Sequence, residues 1–434
     1  MVGSALYIGK LKFANCHSFK GNNLIGLLDK ENQLYQWTVF LGNNNTGKTN
    51  LLKGIADLEP IENRFGPNDA KFDFVPLNMH RGNKIRYNNR FGASISDNYY
   101  GCEIVSVQID EKSTNVSPFS AKPELYTNHW EFSPLGRWSS YPNIDILNFQ
   151  IYGYGVSRRI SKNGISENSE ELNAASLFNP DHKLTNIEEW LFQLKFASQN
   201  GQPTAETRLN LIKDLVVSEV FPEILDFRFT TTDDLKNFIE YQTKEGWFLF
   251  EELGYGYQTT LSWIIDLCKK MFERYPTSPN PLTEPAVVLV DELDLHLHPK
   301  WQKSIVDYLT KNFTSTQFIV TTHSPLLLQT IEKVNLFALI KKENSVLIKH
   351  IPTESFEGWS VEEILSEVME MEEGVFSDKH NALYKEFDEA LDKEDYESAK
   401  AAFDKLMEIL HPKSPERKIL KLQLSQITPV DDKA

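Results

Sequence analysis

The stretch Gly42-Asn43-Asn44-Asn45-Thr46-Gly47-Lys48-Thr49 constrains this chain more than any other. It fits G-x-x-x-x-G-K-[ST] and stands between an apolar run, Tyr35 to Leu41, and a helix-patterned segment from Asn50 to Asp57. A strand that stops at glycine, curls and starts a helix points successive backbone N–H groups at one spot, where the helix dipole favours an anion. In this motif the anion is phosphate: Lys48 is placed to reach the β- and γ-phosphates of a nucleotide, and the Thr49 hydroxyl to coordinate Mg²⁺. The candidate nucleotide contacts are Gly42, Asn43, Asn44, Asn45, Thr46, Gly47, Lys48, Thr49 and Asn50, and the ligands implied are ATP and Mg²⁺. A plain glycine-rich turn is the alternative, and the flanking strand and helix argue against it.

Two later strands also end in chemistry. Val287-Val288-Leu289-Val290 runs into Asp291-Glu292, and an apolar strand closing on two carboxylates is costly unless they have partners or a task. Behind a phosphate loop the tasks are defined: Asp291 in the Mg²⁺ shell, and Glu292 as the general base that polarises the attacking water. The strand Gln317 to Thr321 ends in Thr322-His323-Ser324-Pro325, where His323 can donate to a γ-phosphate and sense its presence. A lone histidine is more often a polar loop residue, but the strand order puts this one beside the nucleotide. A helical stretch from Pro299 to Leu309 lies between the two strands. Strand, helix, strand is the order of a parallel, doubly wound α/β sheet. Lys48, Glu292 and His323 form the candidate catalytic set, and Thr49 and Asp291 the candidate metal ligands.

Lys48 and Asp291 stand 243 positions apart, so a large segment must leave the core and return. Residues 1–60 and 245–355 read as the core, 61–244 as an inserted lobe (β-rich, then helical), and 356–434 as an acidic helical extension. Strand-like pieces run from Glu103 to Gln108 and Ile146 to Tyr152. Residues 186–198, with Trp190, Leu191 and Leu194 on one face, and 205–219 are predicted helices. After Gly254-Tyr255-Gly256 comes an amphipathic helix carrying Leu261, Ile264, Ile265, Cys268 and Met271. In the extension, Leu383, Phe387, Ala390 and Leu391 face Ala399, Ala402, Phe403, Leu406 and Leu410 across a turn at Asp392 to Asp395, an αα-hairpin.

Residues 361–397 carry fourteen Asp or Glu against three Lys, a balance of −11, which leaves −5 for the rest of a chain whose net charge is −16. That weakens a case for broad non-specific nucleic-acid binding without excluding a local basic groove. No apolar run reaches the length of a membrane span. Cys16, Cys102 and Cys268 are far apart, which argues against a disulfide framework or a zinc ribbon. With no apolar stretch behind a basic segment at the start, the expected compartment is the cytoplasm.

GNNNTGKTNLL, ELGYGYQTTLSW, VVLVDELDLHLHP and FIVTTHSP together resemble the ABC-type ATPase heads of the RecF, SMC and OLD group. Tyr152-Gly153-Tyr154-Gly155 with Arg158-Arg159, NIEEWLFQL and GWSVEEIL are similar to stand-alone bacterial ATPases of anti-phage defence operons, such as those of Septu-type and retron-associated systems. The resemblance implies a P-loop α/β fold of ABC type and a homodimer or higher oligomer in which two heads enclose ATP. It also implies a signature loop, at Leu253-Gly254-Tyr255-Gly256-Tyr257, that covers the γ-phosphate held by the other head. Gly254 stands where that loop has serine, so backbone N–H groups at Gly254 and Gly256 are the candidate contacts. Gln108 and Gln150 are candidates for the Q-loop glutamine. His296 and His298 read as loop packing or dimer interface before metal. Arg158, Arg159 and Lys162 read equally as a phosphate or nucleic-acid contact and as a solvated loop.

No acidic metal cluster of TOPRIM type and no HNH motif accompanies these residues. The expected role is therefore an ATP-driven sensor or regulator in anti-phage defence, working with a separately encoded effector such as a nuclease. A RecF-like repair ATPase that clamps DNA directly and a non-hydrolysing ATP-dependent scaffold are the alternatives. The set Asp291, Glu292 and His323 disfavours the scaffold. Direct nucleic-acid binding stays open at this point.

Overall fold

The computed structural model describes residues 5–16, 18–62, 74–76, 99–107, 119, 149–160, 173–369 and 377–427. They divide into two compact units, Met1–Trp359 and Ser360–Ala434.

In the first unit β1 (Ala5–Cys16) pairs antiparallel with β2 (Phe19–Gly26). β3 (Trp37–Gly42) then enters a central sheet and hands the chain to α1 (Lys48–Ala56). β4 (Tyr99–Val107) returns to the other edge of β1, and β5 (Ile151–Tyr154) joins the central sheet. Helices α2 (Ile187–Gln199) and α3 (Pro203–Val216) follow, then a small antiparallel sheet of β6 (Asp226–Thr231), β7 (Asn237–Gln242) and β8 (Trp247–Leu249). The chain re-enters the core through α4 (Tyr255–Arg274), β9 (Ala286–Val290), α5 (Pro299–Asn312), β10 (Thr316–Thr322), β11 (Val334–Lys342) and β12 (Ser345–Ile351).

The central sheet has the order β12-β11-β3-β10-β9-β5, parallel throughout except for the β11–β12 hairpin. β9 and β10 are buried on both faces, which is why AVVLV and FIV show no polar alternation. Ile151, Val287, Leu289, Ile319, Phe40 and Phe337 pack with Leu51, Leu52 and Ile55 of α1 and with Tyr7, Leu11 and Phe13 of β1 in one apolar core. On the other face, Tyr154 packs its ring 5.5 Å from that of Trp263 in α4. Asp266 of α4 is buried and accepts from the Tyr154 hydroxyl at 3.0 Å and the Thr185 hydroxyl at 2.7 Å. Burial alone would raise its pKa, but Lys270 at 2.9 Å and the Thr185 bonds hold the carboxyl below its ordinary value. This network pins α4 to the sheet.

These elements bear out the expected α/β class and refine it. β5 lies within 61–244 by sequence, yet it is an edge strand of the central sheet. The lobe does not end on its helices, because β6–β8 follow them. The rings of Phe192 and Phe229, 5.0 Å apart, join α2 to that sheet. α1 starts at Lys48 rather than Asn50, so Lys48 and Thr49 occupy the first helical turn.

The second unit contains α6 (Asp378–Asp392), α7 (Tyr396–Ile409) and α8 (Glu416–Gln426). The expected hairpin is thus two-thirds of a three-helix bundle. Leu420 and Leu424 of α8 enter the core formed by Leu383, Phe387, Ala399 and Leu406. Ser377 and Asp395 cap α6 and α7 through their side chains. No helix among the described residues is long and apolar enough to cross a membrane.

Candidate nucleotide-binding and catalytic site

Parallel strands deliver their carboxyl ends to one edge of the sheet, where α/β folds build their sites. Here β3 delivers the loop Gly42–Thr49, β9 delivers Asp291 and Glu292, and β10 delivers His323. The loop needs its glycines for separate reasons. Gly47 has φ +83° and lies against Ser18 and Phe19 of the first hairpin. A Cβ on Gly42 would come within 2.9 Å of the Leu339 carbonyl. Asn45 also adopts a left-handed conformation, φ +64°, which asparagine tolerates better than most residues. Asn43, Asn44 and Asn45 are exposed, while Thr46 is buried and its hydroxyl donates to the Asn43 carbonyl at 2.8 Å.

The side chains meet as the motifs suggest. Lys48 is 6% exposed, and its ammonium donates to the Gly42 carbonyl at 2.7 Å and the Asn43 carbonyl at 3.1 Å. Its third contact, at 2.8 Å, is Nε2 of His323. Burial pulls the Lys48 ammonium below its ordinary pKa, and Glu292, Asp291 and Asp294 oppose that pull. The Thr49 hydroxyl donates to Asp291 Oδ2 at 2.5 Å. Thr321 holds both acidic residues: its hydroxyl donates to Asp291 Oδ1 at 2.6 Å and accepts from the Glu292 N–H at 2.7 Å. Glu292 Oε1 lies 3.8 Å from His323 Nε2. Asp294 fixes the histidine turn, accepting from the Thr322 hydroxyl at 2.5 Å and the His323 N–H at 3.3 Å.

An ammonium can only donate, so Nε2 of His323 accepts in this arrangement and the imidazole is neutral. Burial first, then the Lys48 cation, hold its pKa below the ordinary 6.5. A group depressed in this way is neutral in both folded and unfolded chains at higher pH. Below about 6.5 the unfolded chain takes up the proton first. Stability of the nucleotide-free protein should therefore fall as pH drops through that value, and His323→Gln should flatten this part of the profile. Thermal midpoints of both proteins across pH 5 to 8 check it; parallel profiles would contradict the assignment.

Gly254 and Gly256 sit apart from this cluster within one chain. Gly254 is the N-cap of α4, and Gly256 faces the turn after Glu292, where a Cβ would lie 2.5 Å from the His296 carbonyl. Among the described residues no hydrogen bond of the phosphate loop reaches α4. The requirement for glycine at 256 is thus one of close packing in its own chain. The His296 ring meets Tyr255 edge-on at 4.7 Å, and His298 caps α5 through Nδ1. Gln150 is not the Q-loop residue: it precedes β5 at the level of Ala286, at the opposite end of the sheet from Asp291. Four residues of strand separate it from the site, roughly 13 Å. Gln108 and Lys162 lie outside the described residues.

The basic pair divides. Arg159 is exposed and 3.9 Å from Asp181, whereas Arg158 is 3% exposed and points inward. Its guanidinium donates to the main-chain carbonyls of Asp291 at 2.5 Å and Glu292 at 2.8 Å. Arg158, Asp294 and Thr321 are site residues whose roles their local sequence did not signal.

The fold and the clustered residues define a P-loop ATPase core of ABC type. The chain belongs to the family described as "AAA domain, putative AbiEii toxin, Type IV TA system", which matches residues 38–329. It is similar to the Septu protein PtuA of Bacillus thuringiensis, 36% identical over 189 residues, 42% of this chain and 48% of that one. It is also similar to the Retron Ec83 probable ATPase of Escherichia coli, 35% identical over 150 residues, 35% of this chain and 27% of that one. The chain thus spans at most about half the length of these curated relatives. Among solved structures, an SmcHead bound to the C-winged helix domain of ScpA aligns with a TM-score of 0.42 at 15% identity, covering 80% of this chain and 97% of that one.

Proposed function

We propose that this chain binds ATP with Mg²⁺ on the Gly42–Asn50 loop and hydrolyses it, and that it does so as the regulatory ATPase of an anti-phage defence system. The observation that carries the hydrolytic part is the convergence of five side chains: Lys48 on His323 at 2.8 Å, Thr49 on Asp291 at 2.5 Å, and Glu292 3.8 Å from His323. The Thr49 hydroxyl and Asp291 carboxylate offer adjacent hard oxygens, the donor set that suits Mg²⁺. When bound there, Mg²⁺ would neutralise charge on the β- and γ-phosphates and fix their orientation.

The protein's own groups then have separate work. Lys48 exchanges the carbonyls of Gly42 and Asn43 for phosphate oxygens. Glu292, 28% exposed at its side chain, can reach a water and take its proton. His323 cannot accept from Lys48 and donate to a γ-phosphate through the same Nε2, so the two contacts are alternatives. That exclusivity is what a γ-phosphate sensor requires. Gly254 and Gly256, at the start of α4, would act on the nucleotide of a second head rather than their own, which fits a homodimer or higher oligomer. Similarity to a Septu protein and a retron ATPase supports the defence setting and a separately encoded effector, a nuclease being the simplest candidate.

Phosphate release from ATP by the purified chain tests the enzymatic part. Release that depends on Mg²⁺ and stops on chelation is the expected result. A chain that releases no phosphate with Mg²⁺ present would sink the hydrolytic reading. Co-purification with the product of a neighbouring gene tests the partner.

A further inference from the structure

We propose that Arg158 is a positioning residue for Glu292, clamping the turn that aims its carboxylate; the inference rests on the reading of Glu292 as general base. β5 and β9 run parallel as far as Tyr154 and Val290, and the last rung between them is the Asp291 N–H donating to the Tyr154 carbonyl at 2.8 Å. Beyond that rung the pairing of β5 with β9 ends, although β10 still flanks the other side. Arg158 takes over the ladder's task with a side chain. One Nη2 donates to both carbonyls, at 2.5 and 2.8 Å, while Nε donates to the Gly155 carbonyl at 3.1 Å.

Three features set this apart from routine closure of a sheet edge. First, a fully charged group has been buried for it. Burial pushes the guanidinium down to about 10, still protonated at neutral pH. Among the described residues its direct partners are main-chain carbonyls and the Trp263 ring at 6.0 Å; no carboxylate is within ion-pair distance, and the charges of Asp291, Asp294 and Glu292 offset the burial only in part. A buried cation is expensive to hold, and mere satisfaction of two carbonyls does not require one.

Second, both ends of the clamp are strained. Glu292 has φ +50° and Arg158 φ +35°, a region that non-glycine residues avoid unless their surroundings over-determine it. Third, the Glu292 backbone is held from both sides, with its N–H on the Thr321 hydroxyl and its carbonyl shared between Arg158 and the Leu295 N–H at 3.0 Å. Without Arg158 that carbonyl keeps only the local Leu295 bond, which moves with the turn, and the residue can relax to an ordinary conformation. Its carboxylate then swings away from the position 3.8 Å from His323.

Arg158 also lines a cavity of about 570 Å³ with Arg159, Glu188, Tyr255 and Gln258. A smaller side chain at 158 therefore opens onto space, and a small cation can enter to replace what was removed. Arg158→Ala and Arg158→Lys are measured for ATP affinity by equilibrium binding and for kcat by phosphate release, beside wild type and Glu292→Gln. Both variants should keep wild-type affinity while kcat falls ~10–100-fold, the range for a reacting group displaced by about an ångström. Millimolar guanidinium should restore part of the Arg158→Ala rate, which a general loss of packing would not allow. If Arg158→Ala fails to fold, Arg158→Lys, which keeps the charge and most of the stem, carries the same expectation. Wild-type kcat in the variants, or affinity falling in step with rate, overturns the proposal. If wild type hydrolyses and Glu292→Gln does not, while the Arg158 variants match wild type, only the clamp is wrong. A wild-type chain without hydrolysis removes the reading of Glu292 as well.

Discussion

Replacing Glu292 by glutamine should leave ATP binding intact and slow hydrolysis by ~10²–10⁴-fold, the usual effect of losing a general base. The amide matches the carboxylate in shape but has negligible basicity. The turn should persist, because its contacts to Thr321 and Arg158 run through the main chain of residue 292 rather than its side chain. Binding of a fluorescent ATP analogue and phosphate release on the same preparation separate the two steps. Near-normal turnover would show that another group takes the proton.

Lys48→Ala should abolish useful ATP affinity. The ammonium is the one cation among the loop residues, and each charge-assisted bond it makes to phosphate is worth about 1.5–3 kcal/mol. Two such bonds amount to a loss on the order of 10²–10⁴ in Kd. In the nucleotide-free chain Lys48 bonds the Gly42 and Asn43 carbonyls and His323, so its removal also loosens the loop. The core beneath it, built on Leu51, Leu52, Ile55 and Phe40, is untouched. Circular dichroism should therefore remain native while equilibrium binding is lost, and retained affinity would dismiss the loop as the phosphate site.

The parts of this site that were legible in the sequence are those in which chemistry follows directly on a strand. Glycine-bounded curl, apolar run into Asp291-Glu292, and apolar run into His323 are each local signals, and parallel pairing brings them to one edge. Arg158 was not legible because it acts through carbonyls more than 130 positions away, and main-chain acceptors leave no residue signature. With Arg159 and Lys162 it reads equally as a phosphate or nucleic-acid contact and as a solvated loop, and nothing in the sequence shows that one arginine points in and the other out. Gly256 carried a signal that two causes share: phosphate approach and close packing both exclude a side chain, and in its own chain the His296 carbonyl accounts for it. β5 was partly read because IYGY is short, and its place at the sheet edge depends on β9, which lies far along the chain. In ERKILKLQLSQ the apolar positions alternate with lysines and glutamines, so α8 became recognisable as a helix only where Leu420 and Leu424 meet α6 and α7.

A crystal structure of the Glu292→Gln protein with ATP and Mg²⁺ would test the central assignment most directly. The expected result is the β- and γ-phosphates against Lys48 Nζ, with the metal bound by the Thr49 hydroxyl in the shell of Asp291. His323 should have left Lys48 to face the γ-phosphate. Nucleotide seated anywhere else, or phosphates that leave the Lys48–His323 contact in place, would contradict it.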